Sequence, residues 1–142
     1  MYIKQISAFI ENRLGSLEEF TRLLADAGID LLALSIADTT DFGILRAITS
    51  DNEKALTLVK SHGYTASLTD VLAVAVPDSP GGLADALTLL RKGGVTIEYL
   101  YSFVRRIDEA AVLIFRVDAP AKAAELLCQS GVRLLAQEEI GK

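Results

Sequence analysis

The chain has 142 residues, of which 51% are hydrophobic and 23% charged, and this composition supports a packed core and excludes a disordered chain. The formal net charge is −5, no basic run is longer than Arg105–Arg106, and no apolar run reaches the roughly 18 residues of a membrane span, so we expect neither nucleic acid nor a membrane as a partner. The single cysteine, Cys128, excludes an intramolecular disulfide, and with no secretory signal pattern at the N-terminus we expect a cytoplasmic location.

The first half of the chain is predicted to form a strand, a helix, two strands, a helix and a strand. The opening stretch YIKQISAFI alternates and is rich in branched and aromatic residues, which predicts a strand. Apolar residues then recur at helical spacing from Leu17 to Ala27, and Gly28 is suited to end that helix. Two further apolar strands, IDLLALSIAD and FGILRAITS, flank a turn at DTTD. Asp51 or Asn52 caps a second helix, and YTASLTDVLAVAV predicts a last strand that crosses into the second half.

The second half of the chain repeats the first. A shift of 66 residues places Gly15 on Gly81, and a shift of 68 places Gly63 on Gly131. Chance would rarely match turn glycines and helix-ending glycines together, so we predict two units, residues 1–69 and 70–142. Each unit has βαββαβ order, which predicts an α+β fold of two ferredoxin-like units, with antiparallel sheets and helices packed on one face. The sequence leaves open whether one strand continues between the units or terminal strands are exchanged.

A polar, glycine-bearing turn precedes the first helix of each unit. Backbone N–H groups at a helix start lack intrahelical acceptors and carry about half a positive charge, so an α-carboxylate is well placed there. Gly15 and Gly81 let a ligand approach the backbone closely. Asn12 and Asp78 occupy matching positions and can contact an ammonium group, as can Asp38 at the end of the second strand. The alternative is that the glycines only make tight turns and that Asn12 and Asp78 only cap the helices.

The two turns carry a motif that resembles one in a known family. The stretches NRLGSL (residues 12–17) and DSPGGL (residues 78–83), followed by AGIDLLALSIADTTDFGILR and GGVTIEYLYSFV, are similar to the ACT domain. The resemblance covers nearly the whole chain, twice, and extends to stand-alone tandem ACT proteins that carry no catalytic domain. It implies a regulatory role, usually the sensing of a free amino acid at an interface between two units. Leu14 departs from the family pattern, in which proline is frequent at this position, and this makes the first turn less rigid.

We therefore expect a regulatory protein that senses a free amino acid at the interface between its ACT-like units. The predicted ligand-binding residues are Asn12, Leu14, Gly15, Ser16, Leu17, Asp38, Asp78, Pro80, Gly81, Gly82, Leu83, Tyr99 and Tyr101. The two tyrosines share one face of a strand, where they either cover the sheet or line the pocket. A homodimer and a regulated enzyme are the expected protein partners. The alternative is a ligand-independent interaction module that dimerises or docks onto a metabolic enzyme.

Catalytic and metal-binding motifs are missing from the sequence. It carries no nucleotide-binding glycine loop, nucleophile elbow or cluster with metal-ligand spacing, so we expect no cofactor, no metal and no enzyme activity. An acid–base site built from carboxylates alone is the weakest alternative. His62, the only histidine, is expected at a helix end, and Cys128 is expected in the core as part of the last helix.

Overall fold

The protein divides into two compact units. The computed structural model describes residues 2–38 and 41–140, without the Asp38 side chain. The middle of the predicted turn at DTTD and the predicted ammonium contact of Asp38 therefore lie outside the described residues. One unit is Lys4–Thr69, and the other is Asp70–Ile140 together with residues 2–3.

The first unit has βαββαβ order. Its elements are β1 (Ile3–Glu11), α1 (Ser16–Asp26), β2 (Leu31–Asp38), β3 (Phe42–Thr49), α2 (Asn52–Ser61) and the first part of β4 (Ala66–Pro77). β3 pairs antiparallel with both β1 and β2, and the Phe9 N–H donates to the Thr65 carbonyl oxygen at 3.0 Å just before β4 begins. The antiparallel pairing brings the ends of β1 and β2 and the start of β3 to one end of the sheet, where α1 also begins.

The second unit repeats this order. β4 continues into it and is followed by α3 (Gly82–Lys92), β5 (Ile97–Ser102), β6 (Ala110–Val117), α4 (Pro120–Gln129), β7 (Arg133–Leu135) and α5 (Gln137–Ile140). β6 pairs antiparallel with β4 and β5, and β7 pairs antiparallel with β4. β7 has only three residues, and the short helix α5 is an addition that the repeat did not predict. The 12 residues of β4 form a single strand.

Each unit buries one face of its sheet beneath two helices. The core of the first unit comes from alternate positions of β1 and from the inner stripes of α1 and α2, as in Ile6, Ala8, Ile10, Phe20, Leu24 and Val59. The core of the second unit is built in the same way from β4, α3 and α4, as in Leu72, Val74, Val76, Leu90 and Leu127. The strand residues keep a period of two and the helix residues keep the helical period. The predicted α+β fold with helices packed on one face is confirmed.

Asn52 ties α2 to the strands beside it. Its side chain is buried, and Oδ1 accepts hydrogen bonds from the Thr49 N–H and hydroxyl at 2.8 and 2.9 Å. The Asn52 Nδ2 donates to the Lys4 carbonyl oxygen at 2.9 Å. Asp51 is the residue that caps α2, because its Oδ1 accepts from the Lys54 N–H at 3.1 Å. Of the two candidates for the cap, the structure therefore selects Asp51.

Replacing Asn52 by alanine is expected to lower the free energy of unfolding by about 3 kcal/mol, because several polar groups lose their partner at once. Replacing Asp51 by alanine removes an exposed cap and is expected to cost about 1 kcal/mol. Urea denaturation of both variants measures the two losses. Equal losses would contradict the role of Asn52 as the centre of a buried network.

Candidate functional site

Glycine is the N-cap residue of both α1 and α3. Gly15 and Gly81 have φ angles of 86° and 90°, a left-handed conformation that strains residues with a side chain. Neither glycine has a side chain that can cap its helix, and the alternative role of Asn12 and Asp78 as helix caps stays a prediction. The N-cap residue therefore supplies no side-chain acceptor to the first-turn amides of α1 and α3, and a helix start of this kind suits an anion.

The first turn is largely exposed. The Leu14 side chain is 100% exposed, and Asn12 is also on the surface. Asn12, Ser16 and Leu17 line a recess of about 120 Å³ together with Ile36 of β2. This turn recess brings the predicted residues of the first turn to the second strand of the same unit.

The second turn differs from the first through an ion pair. Asp78 Oδ2 accepts a hydrogen bond from Arg106 Nη1 at 3.2 Å, and Arg106 belongs to the connection between β5 and β6. Both side chains are more than half exposed, so the pair contributes little to stability. Of the other predicted residues of this turn, Pro80 and Gly81 are exposed and Gly82 is buried. Leu83 is half-buried and packs against the core of the second unit.

A larger cleft lies between the start of α1 and the end of α2. This first cleft has a volume of about 310 Å³ and is lined by Phe9, Ile10, Glu11, Arg13, Ser16, Glu19, Phe42, His62, Gly63, Tyr64 and Thr65. The lining comes from the end of β1, the start of α1, the start of β3 and the segment between α2 and β4. Of the predicted site residues that the structure describes, Ser16 alone lines it.

The second unit has a cleft at the matching place. This second cleft has a volume of about 640 Å³ and is lined by Ala75, Val76, Pro77, Gly82, Asp85, Ala86, Leu89, Asp108, Glu109, Ala110, Ser130, Gly131, Val132 and Arg133. The repeat shifts place Glu19 on Asp85 and Gly63 on Gly131, and so relate the two linings. Neither cleft is among the sites that the sequence predicts. The matched glycines Gly63 and Gly131 mark where α2 and α4 end along the chain, but not which helix start each end meets.

Charged side chains surround the first cleft. The Arg13 guanidinium donates to Glu11 Oε2 at 2.9 Å through Nε, and to Glu19 Oε2 at 3.0 Å through Nη2. These hydrogen bonds, that of Glu19 first, raise the pKa of Arg13. Burial first, and then the charge of Glu19, raise the pKa of the Tyr64 phenol, which is therefore neutral at physiological pH. The cleft thus presents one cation, two anions and neutral hydroxyl groups.

A family model described as the ACT domain pair matches residues 1–142. The chain belongs to the ACT domain family. The resemblance seen in the sequence is thereby confirmed over the whole ACT pair. A search of curated proteins finds no significant match.

Solved structures similar to this ACT pair include two regulatory subunits. Protein BT0572 from Bacteroides thetaiotaomicron is 42% identical over 100% of this chain and 97% of that chain, with a TM-score of 0.92. The regulatory subunit of aspartate kinase from Thermus thermophilus is 18% identical over 89% of this chain and 91% of that chain, with a TM-score of 0.62. The same subunit from Thermus flavus is 17% identical over 90% and 92% of the two chains, with a TM-score of 0.60. At 18% and 17% identity the likeness shows the shared fold alone.

The tyrosines of the second ACT unit share one face of β5, as predicted. The rings of Tyr99 and Tyr101 are stacked with their centroids 6.5 Å apart, and Tyr101 is buried. Neither tyrosine lines the second cleft of its own unit. A contact between these side chains and a ligand stays a prediction.

The predictions for the histidine and the cysteine of the ACT pair have different outcomes. His62 follows the end of α2, as expected, with Nδ1 at 3.0 Å from the Leu58 carbonyl oxygen. The prediction that Cys128 lies in the core is wrong, because Cys128 is exposed and its neighbour Leu127 is buried. Successive helix residues are about 100° apart, so one position separates the core from the solvent.

Within residues 2–38 and 41–140 of the ACT pair, no group of three or more His, Cys, Asp or Glu side chains is placed to hold a metal ion. None of the helices in this part of the chain is both long enough and apolar enough to cross a membrane.

Proposed function

We propose that this ACT pair is a non-catalytic regulatory protein that senses a free amino acid at one or both glycine turns, with residues 1–69 and 70–142 as its two functional units. The observation that carries the proposal is the pair of helix starts whose N-cap residue is a left-handed glycine, which lets a ligand approach the backbone closely. An amino acid offers a carboxylate to the first-turn amides and an ammonium group to a nearby oxygen. Burial of either charge without a partner is costly, so both contacts are needed. Asn12, Asp38 and Asp78 are the proposed contacts for the ammonium group.

The proposed output is a change in contact with another protein. Two of the similar structures are regulatory subunits of aspartate kinase, and this supports a partner that is a metabolic enzyme or a second copy of the chain in a homodimer. The ligand shifts the equilibrium between two arrangements of these partners only by its difference in affinity for them. We place this activity in the cytoplasm on the basis of the single cysteine.

A thermal-shift screen with each proteinogenic amino acid tests the proposed function. A ligand present at about a hundred times its dissociation constant stabilises the folded state by about 2.7 kcal/mol when only the folded state binds. We expect one amino acid, or a few of similar structure, to raise the melting temperature. If none of them does, the proposed function is wrong.

Replacing Gly15 by alanine is expected to weaken amino-acid binding by about tenfold or more, because the added Cβ occupies open space beside the first-turn amides of α1. The φ of 86° also makes alanine less stable there by about 1 kcal/mol. Isothermal titration calorimetry measures the change in affinity.

Gly28 supplies the matched control for Gly15. Its φ is 74°, and an added Cβ likewise meets nothing within 4 Å, but it lies beyond the opposite end of α1. Gly28→Ala is therefore expected to carry the same backbone strain and to keep the wild-type affinity. Equal affinities for the two variants would contradict a ligand at the start of α1.

A ligand-independent interaction module is the second candidate, and exposed apolar side chains favour it. Leu14, Ile36 and Leu17 are 100%, 41% and 38% exposed, respectively. Apolar groups that remain on the surface often mark a protein contact. Under this candidate the chain forms a tight dimer that amino acids do not alter, and Leu14→Glu weakens that dimer. Analytical ultracentrifugation with and without amino acids separates the two candidates.

A further inference from the structure

The second cleft is larger than the first because small residues replace aromatic ones. The volumes are about 640 Å³ and about 310 Å³. Three aromatic residues that line the first cleft are matched by small residues that line the second, and the pairs are Phe9 with Ala75, Phe42 with Ala110, and Tyr64 with Val132. Strand register gives the match at the start of β3 and β6, because Phe42 pairs with Glu11 at the end of β1 and Ala110 pairs with Pro77 at the end of β4. The second unit is therefore open at the positions where the first unit carries aromatic rings.

One face of α3 forms a wall of the second cleft. Its residues in the lining are Gly82, Asp85, Ala86 and Leu89, which follow the spacing that places residues on the same side of a helix. Ala86 is buried, and Leu89 packs against the core of the second unit. The lining residues from β4 and β6 are apolar as well. The cleft therefore places an apolar surface beside the carboxylate of Asp85.

Negative charge dominates the second cleft. Asp85, Asp108 and Glu109 line it, and Arg133 is the cation of the lining. The Arg133 guanidinium is already paired with two carboxylates, that of Asp108 at 2.9 Å and that of Glu139 at 2.6 Å. Within residues 2–38 and 41–140, neither the Asp85 nor the Glu109 carboxylate has an ion pair. Two carboxylates of the cleft are therefore available to a cation.

The end of α4 adds to the negative potential. Ser130 and Gly131 follow α4 and line the second cleft, and the C-terminal end of a helix carries about half a negative charge. The last turn of α2 contains Lys60 and is followed by His62, whereas the last turn of α4 has no basic residue. The repeat shift of 68 places Cys128 on Lys60 and Ser130 on His62. The second unit therefore lacks the basic side chains that lie at this helix end in the first unit.

We propose that the second cleft binds an arylalkyl amine, a small molecule with an ammonium group and an aromatic ring but no carboxylate. The ring lies on the apolar surface, in the space that aromatic side chains take up in the first unit. The ammonium group lies beside Asp85 and Glu109, because a buried cation needs an anionic partner. The net negative charge of the cleft disfavours a carboxylate, so this ligand is not an amino acid. The site is an addition to the proposed function and does not depend on it.

Isothermal titration calorimetry of the whole chain with phenethylamine tests the chemistry of the site. We expect the titration to saturate at one ligand per chain. Phenethyl alcohol and hydrocinnamate present a similar ring with a neutral and an anionic group, and each is expected to bind at least about tenfold more weakly. Phenylalanine, which adds a carboxylate to the same amine, is not expected to displace phenethylamine at equal concentration.

Two substitutions test the place of the site. Asp85→Asn removes an exposed carboxylate from the lining and is expected to weaken phenethylamine binding by about tenfold while the melting temperature stays that of the wild-type chain. Glu125→Gln is the matched control, because it removes an exposed carboxylate of the same unit outside the lining, and it is expected to keep the wild-type affinity. Ala75→Phe restores the residue of the first unit and is expected to abolish binding, because the ring fills the cleft.

The outcomes separate this site from the proposed function. Wild-type affinity in Asp85→Asn would overturn the site, and this test holds even if Ala75→Phe does not fold. Equal affinities for phenethylamine and phenethyl alcohol, or no binding of phenethylamine, would overturn the inference and leave the proposed sensing of an amino acid standing. Binding of phenethylamine by a chain that no amino acid stabilises would support the site and overturn only the proposed function.

Discussion

Replacing Phe20 by alanine is expected to lower the free energy of unfolding by about 4 kcal/mol. Phe20 is fully buried, and the edge of one ring meets the face of the other in its contact with Tyr64, with the centroids 5.2 Å apart. Alanine leaves a cavity in the core beneath α1 and removes this aromatic contact. Urea denaturation of the variant and the wild-type chain measures the loss.

Phe9 provides the matched control for Phe20, because the same residue type is 52% exposed there. Phe9→Ala is expected to change the free energy of unfolding by no more than about 0.5 kcal/mol. Losses of similar size in the two variants would contradict the assignment of the first core to the face of the sheet beneath α1 and α2.

Replacing Gly82 by alanine is expected to cost about 3 kcal/mol. An added Cβ would lie 2.1 Å from the Pro77 carbonyl oxygen and 3.1 Å from the Pro77 carbonyl carbon. Both are backbone atoms at the end of β4, and they cannot rotate away as a side chain can. The turn between β4 and α3 must therefore open to admit the methyl group, and the stability loss is measured by urea denaturation.

Gly93 tests whether the nature of the neighbouring atom decides the cost. An added Cβ at Gly93 would lie 2.2 Å from Leu126 Cδ1, which belongs to a side chain that can change its rotamer. Gly93→Ala is therefore expected to cost only about 1 kcal/mol. A loss for Gly82→Ala that is no larger would show that the second turn yields easily.

The fold could be predicted from the sequence because local patterns determine most of it. Gly28 and Gly94 have φ angles of 74° and 75° beyond the ends of α1 and α3, and glycine adopts this conformation with little strain. A residue type that marks a helix end in this way reveals a repeat even when the rest of the sequence has diverged. The period of two in β1 and the helical period in α1 then place the core.

The turns could also be predicted, but the clefts could not. Gly15 and Gly81 are visible in the sequence because they precede apolar residues at helical spacing. The first cleft depends on the return of α2 to the start of α1, and no short-range pattern encodes that return. The ion pair of Asp78 with Arg106 joins residues 28 positions apart, which spacing alone does not predict.

The sequence also could not predict that the buried Ser16 hydroxyl has no hydrogen-bond partner. Whether a buried hydroxyl finds a partner depends on the positions of its neighbours to within a fraction of an ångström. The repeat does show that Ser16 is matched by Gly82, and the two turns also differ at Leu14 and Pro80. The two units therefore share a core plan and differ in the residues that a ligand would meet.

An NMR titration of isotope-labelled protein, with the amino acid found by the thermal-shift screen, tests the central claim most directly because it observes the backbone amides themselves. We expect the amide resonances of Ser16, Leu17 and Glu18 to shift and to saturate, while that of Gly28 at the other end of α1 stays unchanged. Saturable binding that leaves all three of the first-turn resonances in place would contradict the claim that the start of α1 holds the carboxylate.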